Sequence, residues 1–318
     1  MNTVYPDRAA DRTRWILDQR GPRNILDPYR PYACFVEDEI GDDGQMYATG
    51  TVLLTNRECP YRCLMCDLWQ NTLTETVPSG AIAEQIRYAI DSMQPFRQLK
   101  LYNAGSFFDP RAIPLSEDVA IAKLIGEYDR TIVEAHPAFI GERTAEFSKK
   151  LSGKLEVAIG LETVHEPTLD KLNKRFKLSD FHRSADFLKS NDIDLRVFLL
   201  VRPPFMSEDE GIEWACKSID YSFDLGATAC CLIPTRAGNG AMEALAENGA
   251  FNPPNLRSLE MAHQYGIQLN RGRIFADLWD IEKFYNCECS PMVAARIKRM
   301  NETQSTQTKV TCPICGVT

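Results

Sequence analysis

Along most of this chain, segments with apolar residues at strand spacing alternate in regular order with segments that have apolar residues at helical spacing. Apolar and β-branched residues at strand spacing recur at 46–54, 98–103, 130–135, 155–162, 194–201 and 227–234. Segments between them, such as 77–93, 116–128 and 208–226, carry apolar residues at helical spacing. This series of about six strand–helix units predicts a parallel sheet with right-handed crossovers. It is shorter than a closed eight-unit barrel, so we expect an α/β fold with a partial (βα)6 TIM-type barrel.

Both ends of the chain depart from this series. A helix is expected over 11–19, and two strands joined by a turn at Asp42, Asp43 and Gly44 follow it. Beyond about residue 245, a helical pattern over 252–269 and a strand pattern over 271–279 lead to a second group of cysteines. The predicted regions are an N-terminal leader with a hairpin strand at 1–45, the barrel at 46–245, and a C-terminal extension at 246–318.

The composition of the chain limits the class of protein and the cellular environment that can be expected. The 318 residues are 44% hydrophobic, enough for a large core, and no apolar run reaches the roughly 18 residues of a membrane span. The first residues are polar and partly acidic, unlike a signal peptide. Eleven cysteines in such a chain predict a reducing, cytoplasmic setting in which thiols act as ligands or catalysts. The net charge of −8 argues against broad, unspecific binding of nucleic acids, although a local basic patch would suffice for a specific contact.

Three cysteines lie close together directly after the second predicted strand, in "TNRECPYRCLMCDLWQN". Cys59, Cys63 and Cys66 have the spacing C-x3-C-x2-C. A structural zinc site takes four ligands, and no fourth is local. Disulfide bonds would leave one thiol over. Three thiolates on a four-iron cluster instead leave one iron open to a small molecule, which makes a site reactive rather than only electron-carrying.

This spacing resembles the signature of the radical S-adenosylmethionine (SAM) superfamily. The resemblance implies a [4Fe-4S] cluster on the three cysteines, with SAM chelating the open iron through its amino and carboxylate groups. Reduction, by a donor such as flavodoxin or ferredoxin, would cleave SAM to methionine and a 5′-deoxyadenosyl radical that abstracts hydrogen from a substrate. One residue departs from the family pattern: Met65 stands where an aromatic residue usually lies near the SAM adenine, and its flexible thioether is expected to pack there instead.

The ends of the next strands are similar to SAM-binding positions of the superfamily. The turn Asn103, Ala104, Gly105 and Ser106 matches the glycine-rich turn whose backbone receives the SAM amino group, and Gly105 allows close approach. In "VEAHP", Glu134 matches an acidic residue of related enzymes, those similar to the elongator catalytic subunit and to oxygen-independent coproporphyrinogen dehydrogenase. Glu134 is therefore expected to face SAM. By contrast, the neighbouring His136 is expected to be a local structural residue.

Four further residues are expected to bind SAM or substrate. Glu162 and Lys174 match a glutamine and a basic residue that contact SAM in the related families, and a solvated helix-cap glutamate is the alternative for Glu162. Arg202 and Arg236 follow apolar strands and are expected to bind an anionic group. A salt bridge or a surface loop is the alternative for both arginines.

Taken together, "RCLMCDLW", "NAGSFFDP", "VEAHP", "IGLET", "VRPPF" and "IPTRAGNGAM" resemble one branch of the superfamily. That branch is similar to the elongator catalytic subunit and includes the radical SAM partner of archaeosine synthase. The resemblance covers residues 46–245 and the tail cysteines. It implies a modified nucleobase as substrate, favoured as a 7-deazaguanine type in tRNA, and a partner enzyme that supplies it. A small metabolite is the alternative substrate, and a non-catalytic zinc- or iron-containing nucleic-acid-binding protein is the alternative from another class.

The tail carries two close pairs of cysteines: Cys287, Cys289, Cys312 and Cys315. Two pairs separated by a loop suit tetrahedral zinc, which we favour, and an auxiliary iron–sulfur cluster is the alternative. Neither a zinc ion nor an auxiliary cluster at this site would make these residues catalytic.

Between the two pairs lies a basic segment with Arg296, Lys298, Arg299 and Lys309. It predicts either a contact with RNA phosphates or an ordinary amphipathic helix. The remaining cysteines, Cys34, Cys216, Cys230 and Cys231, lie in predicted strands or a helix, where we expect them to be buried apolar residues.

Overall fold

One eight-stranded sheet, with its strands in chain order, organises the computed structural model, which describes residues 4–315. The first two strands are antiparallel, and each later neighbouring pair is parallel. The strands are β1 (Ala33–Ile40), β2 (Met46–Leu54), β3 (Gln98–Asn103), β4 (Arg130–Ala135), β5 (Lys154–Glu162), β6 (Asp194–Val201), β7 (Ala229–Pro234) and β8 (Arg273–Ala276).

Within residues 4–315, ten helices accompany the sheet. They are α1 (Ala9–Asp18), α2 (Ala81–Ser92), α3 (Asp118–Ile125), α4 (Glu142–Ser148), α5 (Glu166–Lys171), α6 (Leu178–Ser190), α7 (Glu208–Asp224), α8 (Ala241–Glu247), α9 (Leu256–Leu269) and α10 (Ser290–Thr303). Those between α1 and α10 connect the parallel strands. Short 3-10 turns lie at Leu68–Asn71, Leu115–Glu117, Pro137–Phe139 and Ile281–Phe284. The predicted α/β partial barrel is confirmed, and the sheet exceeds the six-unit series because β1 and β8 add a strand at each edge.

The two faces of β2 illustrate how the sequence pattern builds this barrel. Val52 and Leu54 are fully buried in the main apolar core together with Ile82 and Ile86 of α2. Thr51, directly before Val52, instead donates a 2.8 Å hydrogen bond from its hydroxyl to Glu37 of β1. Alternate side chains of a strand point to opposite faces, so the apolar set meets the helices and the polar set faces the barrel interior.

Charged side chains fill the interior at the end of the barrel where the parallel strands begin. Arg196 of β6 is 1% exposed and forms ion pairs with Glu39 of β1 and Glu156 of β5. Burial opposes the ionisation of Glu156, but the surrounding arginines outweigh it and hold the pKa of that carboxyl at about 2. We call this set the ionic floor; it comprises Glu39, Lys100, Arg130, Glu156, Arg196 and Arg273.

Helix α10 covers the outer edge of β8. Asn301 accepts a hydrogen bond from the amide of Ala276 and donates one to its carbonyl, both at 2.8 Å. Gln304 does the same for Ile274, at 2.7 and 2.8 Å. The two side-chain amides therefore occupy the hydrogen-bonding positions that a further strand would fill. Because α10 also packs against β1, it closes the side of the barrel on which β1 and β8 lie.

Both terminal regions pack on the barrel. Trp15 and Ile16 of α1 form a second apolar cluster with Leu64 of the cysteine loop and with Met242 and Leu245 of α8. The boundaries expected near residues 45 and 245 do not coincide with the sheet edges, since β1 and β8 come from the flanking regions. Within residues 4–315, no helix has the length and apolar character that crossing a membrane requires.

Candidate functional site

The three-cysteine loop follows β2 and lies at the end of the barrel where the parallel strands end. Asn173 donates a 2.7 Å hydrogen bond to the carbonyl of Arg62 in this loop. Asn239, from the loop after β7, donates to the carbonyls of Leu64 and Cys66 at 2.8 and 3.1 Å. Side chains from two later connections, one between α5 and α6 and one after β7, thus hold the backbone of the cysteine loop in place.

Cys59, Cys63 and Cys66 are partly buried, and the loss of solvation raises the pKa of each thiol to about 12. A bound metal would favour the thiolates, which are the forms that bind it.

The glycine turn predicted to hold SAM lies directly against this loop. Gly105 has a φ of +135°, and a Cβ at that position would come 3.1 Å from the Cβ of Cys59. Asn103 and Ser106 are each 1% exposed, yet both atoms of the Asn103 amide group and the Ser106 hydroxyl have no hydrogen-bond partner within the protein. Buried polar groups are normally paired, so these atoms indicate a ligand that carries polar groups of its own.

Glu162 and Lys174, which the sequence pairs as SAM contacts, contact each other. The Lys174 ammonium lies 2.5 Å from Glu162 Oε1, and both side chains are buried. Glu162 follows a register shift between β5 and β6 and has a φ of 67°, so its side chain is directed away from the regular strand position. The missing side chain of Gly160 leaves room for the pair, because a Cβ there would lie 2.7 Å from Lys174 Nζ.

Glu134 lies on β4 near this pair. Burial raises the pKa of its carboxyl to about 8, against the opposing effects of an Asn103 backbone hydrogen bond and of Lys174. The group is therefore largely protonated at neutral pH and can donate a hydrogen bond.

His136 makes the contacts of a structural residue. Its Nδ1 accepts from the Ala138 amide at 3.1 Å, its Nε2 lies 2.9 Å from the Lys174 carbonyl, and its ring stacks on Tyr61. Met65 is partly buried and packs against the cluster formed by α1 and α8. Met65 thus belongs to the part of the cysteine loop that packs against the leader.

Both arginines expected to bind an anion have partners within the protein. Arg202 pairs with Glu208 at 2.5 Å and donates to the carbonyl of Pro253 at 2.8 Å. Arg236 pairs with Asp277 at 2.7 Å and donates to the carbonyl of Trp279 at 2.5 Å. These contacts match the salt-bridge alternative, in which the arginines organise the loops at the barrel mouth.

Sequence reasoning did not anticipate a group of arginines beside the cysteine loop. Arg20 and Arg62 pair with Glu58 at 2.7 and 3.2 Å, and Arg23 also pairs with this carboxylate. Arg62 donates in addition to the carbonyl of Cys59. The arginines that flank the cysteines in "TNRECPYRC" could have indicated this group. Its other members, Arg20 and Arg23, come from the leader and are distant in the sequence.

The four tail cysteines form a compact set. The sulfurs of Cys287 and Cys312 are 3.7 Å apart, as are those of Cys289 and Cys315, and all four lie within 4.8 Å of one another. Thiolates around tetrahedral zinc, at zinc–sulfur distances of about 2.3 Å, would be separated by about 3.8 Å. The set can therefore hold one metal ion.

The segment between the tail cysteine pairs forms α10, and its basic residues differ in exposure. Arg296 is buried and donates to Glu260, Gln264 and the carbonyl of Gln307, so it is a structural residue. Arg299 is exposed beside Glu302.

Of the other cysteines, Cys230 is buried as expected. Cys34, Cys216 and Cys231 are partly exposed.

Comparisons with known proteins support the resemblance. An uncharacterized protein of Methanocaldococcus jannaschii is 26% identical over 337 residues, which cover 96% of this chain and 90% of the relative. Archaeosine synthase subunit beta of Methanosarcina acetivorans is 26% identical over 229 residues, which cover 68% of this chain and 66% of that relative, slightly less than two thirds of its length. No family model matches the chain.

Among solved structures, Elp3 of Methanocaldococcus infernus superposes with a TM-score of 0.52 at 15% sequence identity. The superposition covers 68% of this chain and 58% of that chain. The predicted resemblance to this branch is thus confirmed by the relative named archaeosine synthase subunit beta, and the superposition on Elp3 supports the fold. Because that relative is named as a subunit of a synthase, the comparison supports the prediction of an enzyme.

Proposed function

We propose that this protein is a radical SAM enzyme that acts on a modified nucleobase of tRNA, favoured as a 7-deazaguanine type, together with a partner enzyme. The observation that carries the proposal is the glycine turn, which carries unpartnered buried polar atoms and, at Gly105, lies against the loop of three cysteines. Such a site has ligands for a cluster and buried polar atoms for a second group beside it.

In this proposal, Cys59, Cys63 and Cys66 hold the cluster, and the turn from Asn103 to Ser106 receives SAM. When both are bound, they supply the one-electron cleavage of SAM and the removal of a hydrogen atom from the substrate. The amide of Asn103 and the hydroxyl of Ser106 offer donors and acceptors in a place that water reaches poorly. Their burial strengthens each hydrogen bond that they make to a ligand.

The acidic residues of the site have separate tasks. Protonated Glu134 acts as a hydrogen-bond donor, because burial raises the pKa of its carboxyl. Glu162 pairs with Lys174, and together they present one carboxylate and one ammonium group to polar ligand atoms. Helices α1 and α8, packed on Leu64, cover the cysteine loop and help to exclude water.

The nucleobase substrate is proposed from the relative named archaeosine synthase subunit beta. A name that describes a subunit supports a partner enzyme, and the need for an electron supports a donor such as flavodoxin or ferredoxin. With no membrane-spanning helix in residues 4–315 and many free thiols, we also propose a cytoplasmic location.

For the tail we propose structural zinc rather than an auxiliary iron–sulfur cluster. The sulfur–sulfur distances of 3.7 Å match four thiolates on one tetrahedral ion. Metal analysis of purified protein tests this directly: we expect about one zinc per chain that remains when Cys63 is replaced. Two iron–sulfur clusters per chain and no zinc would contradict it.

The test of the chemistry is anaerobic cluster reconstitution, followed by incubation with SAM and dithionite. We expect about four irons per chain and formation of 5′-deoxyadenosine, both lost in Cys63→Ala. Cys216→Ala is the matched control, because this partly exposed thiol lies on α7 and outside both cysteine groups. A well-loaded protein that forms no product would refute the proposal, and zinc without iron would favour the non-catalytic alternative.

The substrate class is tested separately. Unmodified tRNA and tRNA carrying the modified base are compared as additives to the loaded enzyme, and consumption of the modified base is followed by mass spectrometry. Consumption that requires the base in tRNA supports the proposal. Turnover of a small metabolite in place of tRNA would favour the alternative substrate class.

A further inference from the structure

A positively charged group of side chains lies beside the cysteine loop, and the function proposed above gives it no task. Glu58, directly before Cys59, pairs with Arg20 at 2.7 Å and with Arg62 at 3.2 Å, and Arg23 contacts the same carboxylate. Within residues 4–315, no other carboxylate forms an ion pair with these three arginines. One negative charge balances one of the three cations, so this set, which we call the arginine group, carries a net positive charge.

The arginine group is held in place because the leader also follows the far end of the cysteine loop. The Arg20 guanidinium lies 4.6 Å from the centroid of the Trp69 ring, and Arg23 donates a 3.2 Å hydrogen bond to the carbonyl of Trp69. The backbone amide of Asn24 donates to the carbonyl of Gln70 at 2.9 Å. The positive charges therefore have defined positions and cannot turn away from the loop without breaking these contacts.

Arg20 is the member of the group whose charge acts most directly on the thiols. The side chains of Arg20 and Glu58 are only 8% and 10% exposed, so water and salt screen them weakly. Burial raises the pKa of the Cys63 and Cys66 thiols, and the charge of Arg20 acts against this rise at both. At Cys66 the charge of Asp67 acts in the other direction. The side chain of Arg20 is thus close enough to influence the electrostatics of the cysteine site.

Lys174 is a second cation whose charge acts against the burial-driven rise in the pKa of the Cys59 and Cys63 thiols. It is paired one to one with Glu162, so that pair adds no net charge to the site. The arginine group differs in having three cations on one carboxylate. It is therefore the source of net positive charge beside the cysteine loop.

We propose that the arginine group raises the reduction potential of the cluster held by the three cysteines. The proposal rests on the function proposed above, because it needs a cluster that accepts one electron. Uptake of an electron adds a negative charge, which fixed cations nearby stabilise. The leader, which supplies Arg20 and Arg23, thereby controls how easily a donor reduces the site.

The proposal predicts shifts of opposite sign for the two charges of one ion pair. Loss of a weakly screened charge beside a cluster should change the equilibrium constant for its reduction by about 3- to 20-fold. For a one-electron couple this is about 30–80 mV. We expect Arg20→Gln to lower the midpoint potential by this amount, and Glu58→Gln to raise it. A merely structural role for the pair would not move the potential in opposite directions.

The measurement is a redox titration of cluster-loaded protein without added SAM, followed by electron paramagnetic resonance. Arg20→Lys keeps the charge, so its equilibrium constant should stay within about twofold of the wild type, or about 20 mV. Arg97→Gln is the matched control, because Arg97 directly precedes β3 at the other end of the barrel, where it pairs with Asp129 at 2.7 Å. Its potential should equal that of the wild type.

Iron content is measured for each variant, so that only loaded proteins are compared. Where Arg20→Gln loads poorly, Arg23→Gln provides the same test, with a smaller decrease because its side chain is 29% exposed. Loaded variants that lack Arg20 or Glu58 and keep the wild-type potential would overturn the role of the arginine group, as would shifts of the same sign. A wild type that takes up no four-iron cluster refutes the proposed function itself, so the two failures are distinguishable.

Discussion

Replacing Lys174 with methionine tests the buried ion pair at the centre of the site. The substitution leaves Glu162, whose side chain is 8% exposed, without the ammonium group 2.5 Å away. Breaking a buried pair by removing one partner typically costs about 3–5 kcal/mol of stability. A carboxylate can escape by taking up a proton, which at pH 7 costs an ordinary glutamate roughly 3.5 kcal/mol. We therefore expect Lys174→Met to lower the free energy of unfolding by about 3 kcal/mol at pH 7.

The same reasoning predicts how this loss depends on pH. Protonation becomes easier as the pH falls, so the loss should shrink to below about 1 kcal/mol near pH 4.5. Urea unfolding of reduced protein, followed by circular dichroism, measures it. In the double variant Glu162→Gln/Lys174→Met, which leaves no unpaired charge, most of the stability should return.

The matched control is Lys149→Met, which breaks an exposed pair with Glu146 and should change stability by less than about 0.5 kcal/mol. A loss below about 1 kcal/mol in Lys174→Met at pH 7, or a loss that does not depend on pH, would refute the reasoning.

Three further predictions concern the caps, the buried acid and the tail. Asn301→Ala removes two hydrogen bonds to Ala276 and should cost about 1–3 kcal/mol, with faster amide hydrogen exchange at that residue; unchanged exchange would contradict the cap. Because the pKa of Glu134 is raised to about 8, its contribution to stability is complete below about pH 4.5 and is lost as the pH rises through 8. Glu134→Gln should therefore flatten the decline of stability between these values, and a parallel curve would count against this account. A zinc chelator should destabilise α10 before the barrel, visible as early hydrogen exchange in residues 290–303; simultaneous exchange throughout would argue otherwise.

The repeating part of the fold could be predicted because it depends on local pattern. Strand residues such as those of β6, "DLRVFLLV", differ in period from the helical segments beside them. The cysteine loop was equally accessible, since all three thiols lie within eight residues. In both cases the relevant information is contained in a short stretch of chain.

Contacts between distant segments could not be predicted in this way. Arg236 is expected from the sequence to bind an anion, and its contact with Asp277 could not be foreseen, because Asp277 lies 41 residues later in the chain. The amide caps of Asn301 and Gln304 depend on where α10 packs, which no local pattern specifies. The ionic floor could be predicted in part, because several strands carry a charged residue at an inward-facing position. Which of these charges pair with one another depends on the order of the strands in the sheet.

The ionic floor also has a consequence for how the strands find their alignment during folding. Arg196 contacts Glu39 from a position 157 residues later, and Glu156 contacts Arg196, Arg130 and Arg273 from three other strands. A strand shifted by one residue would turn its charge out of the barrel and into the apolar layer beneath the helices. Each such error would leave a buried charge alone, at a cost of several kcal/mol. The charges at the base of the barrel thus favour a single alignment of strands among the many that an apolar interior would tolerate.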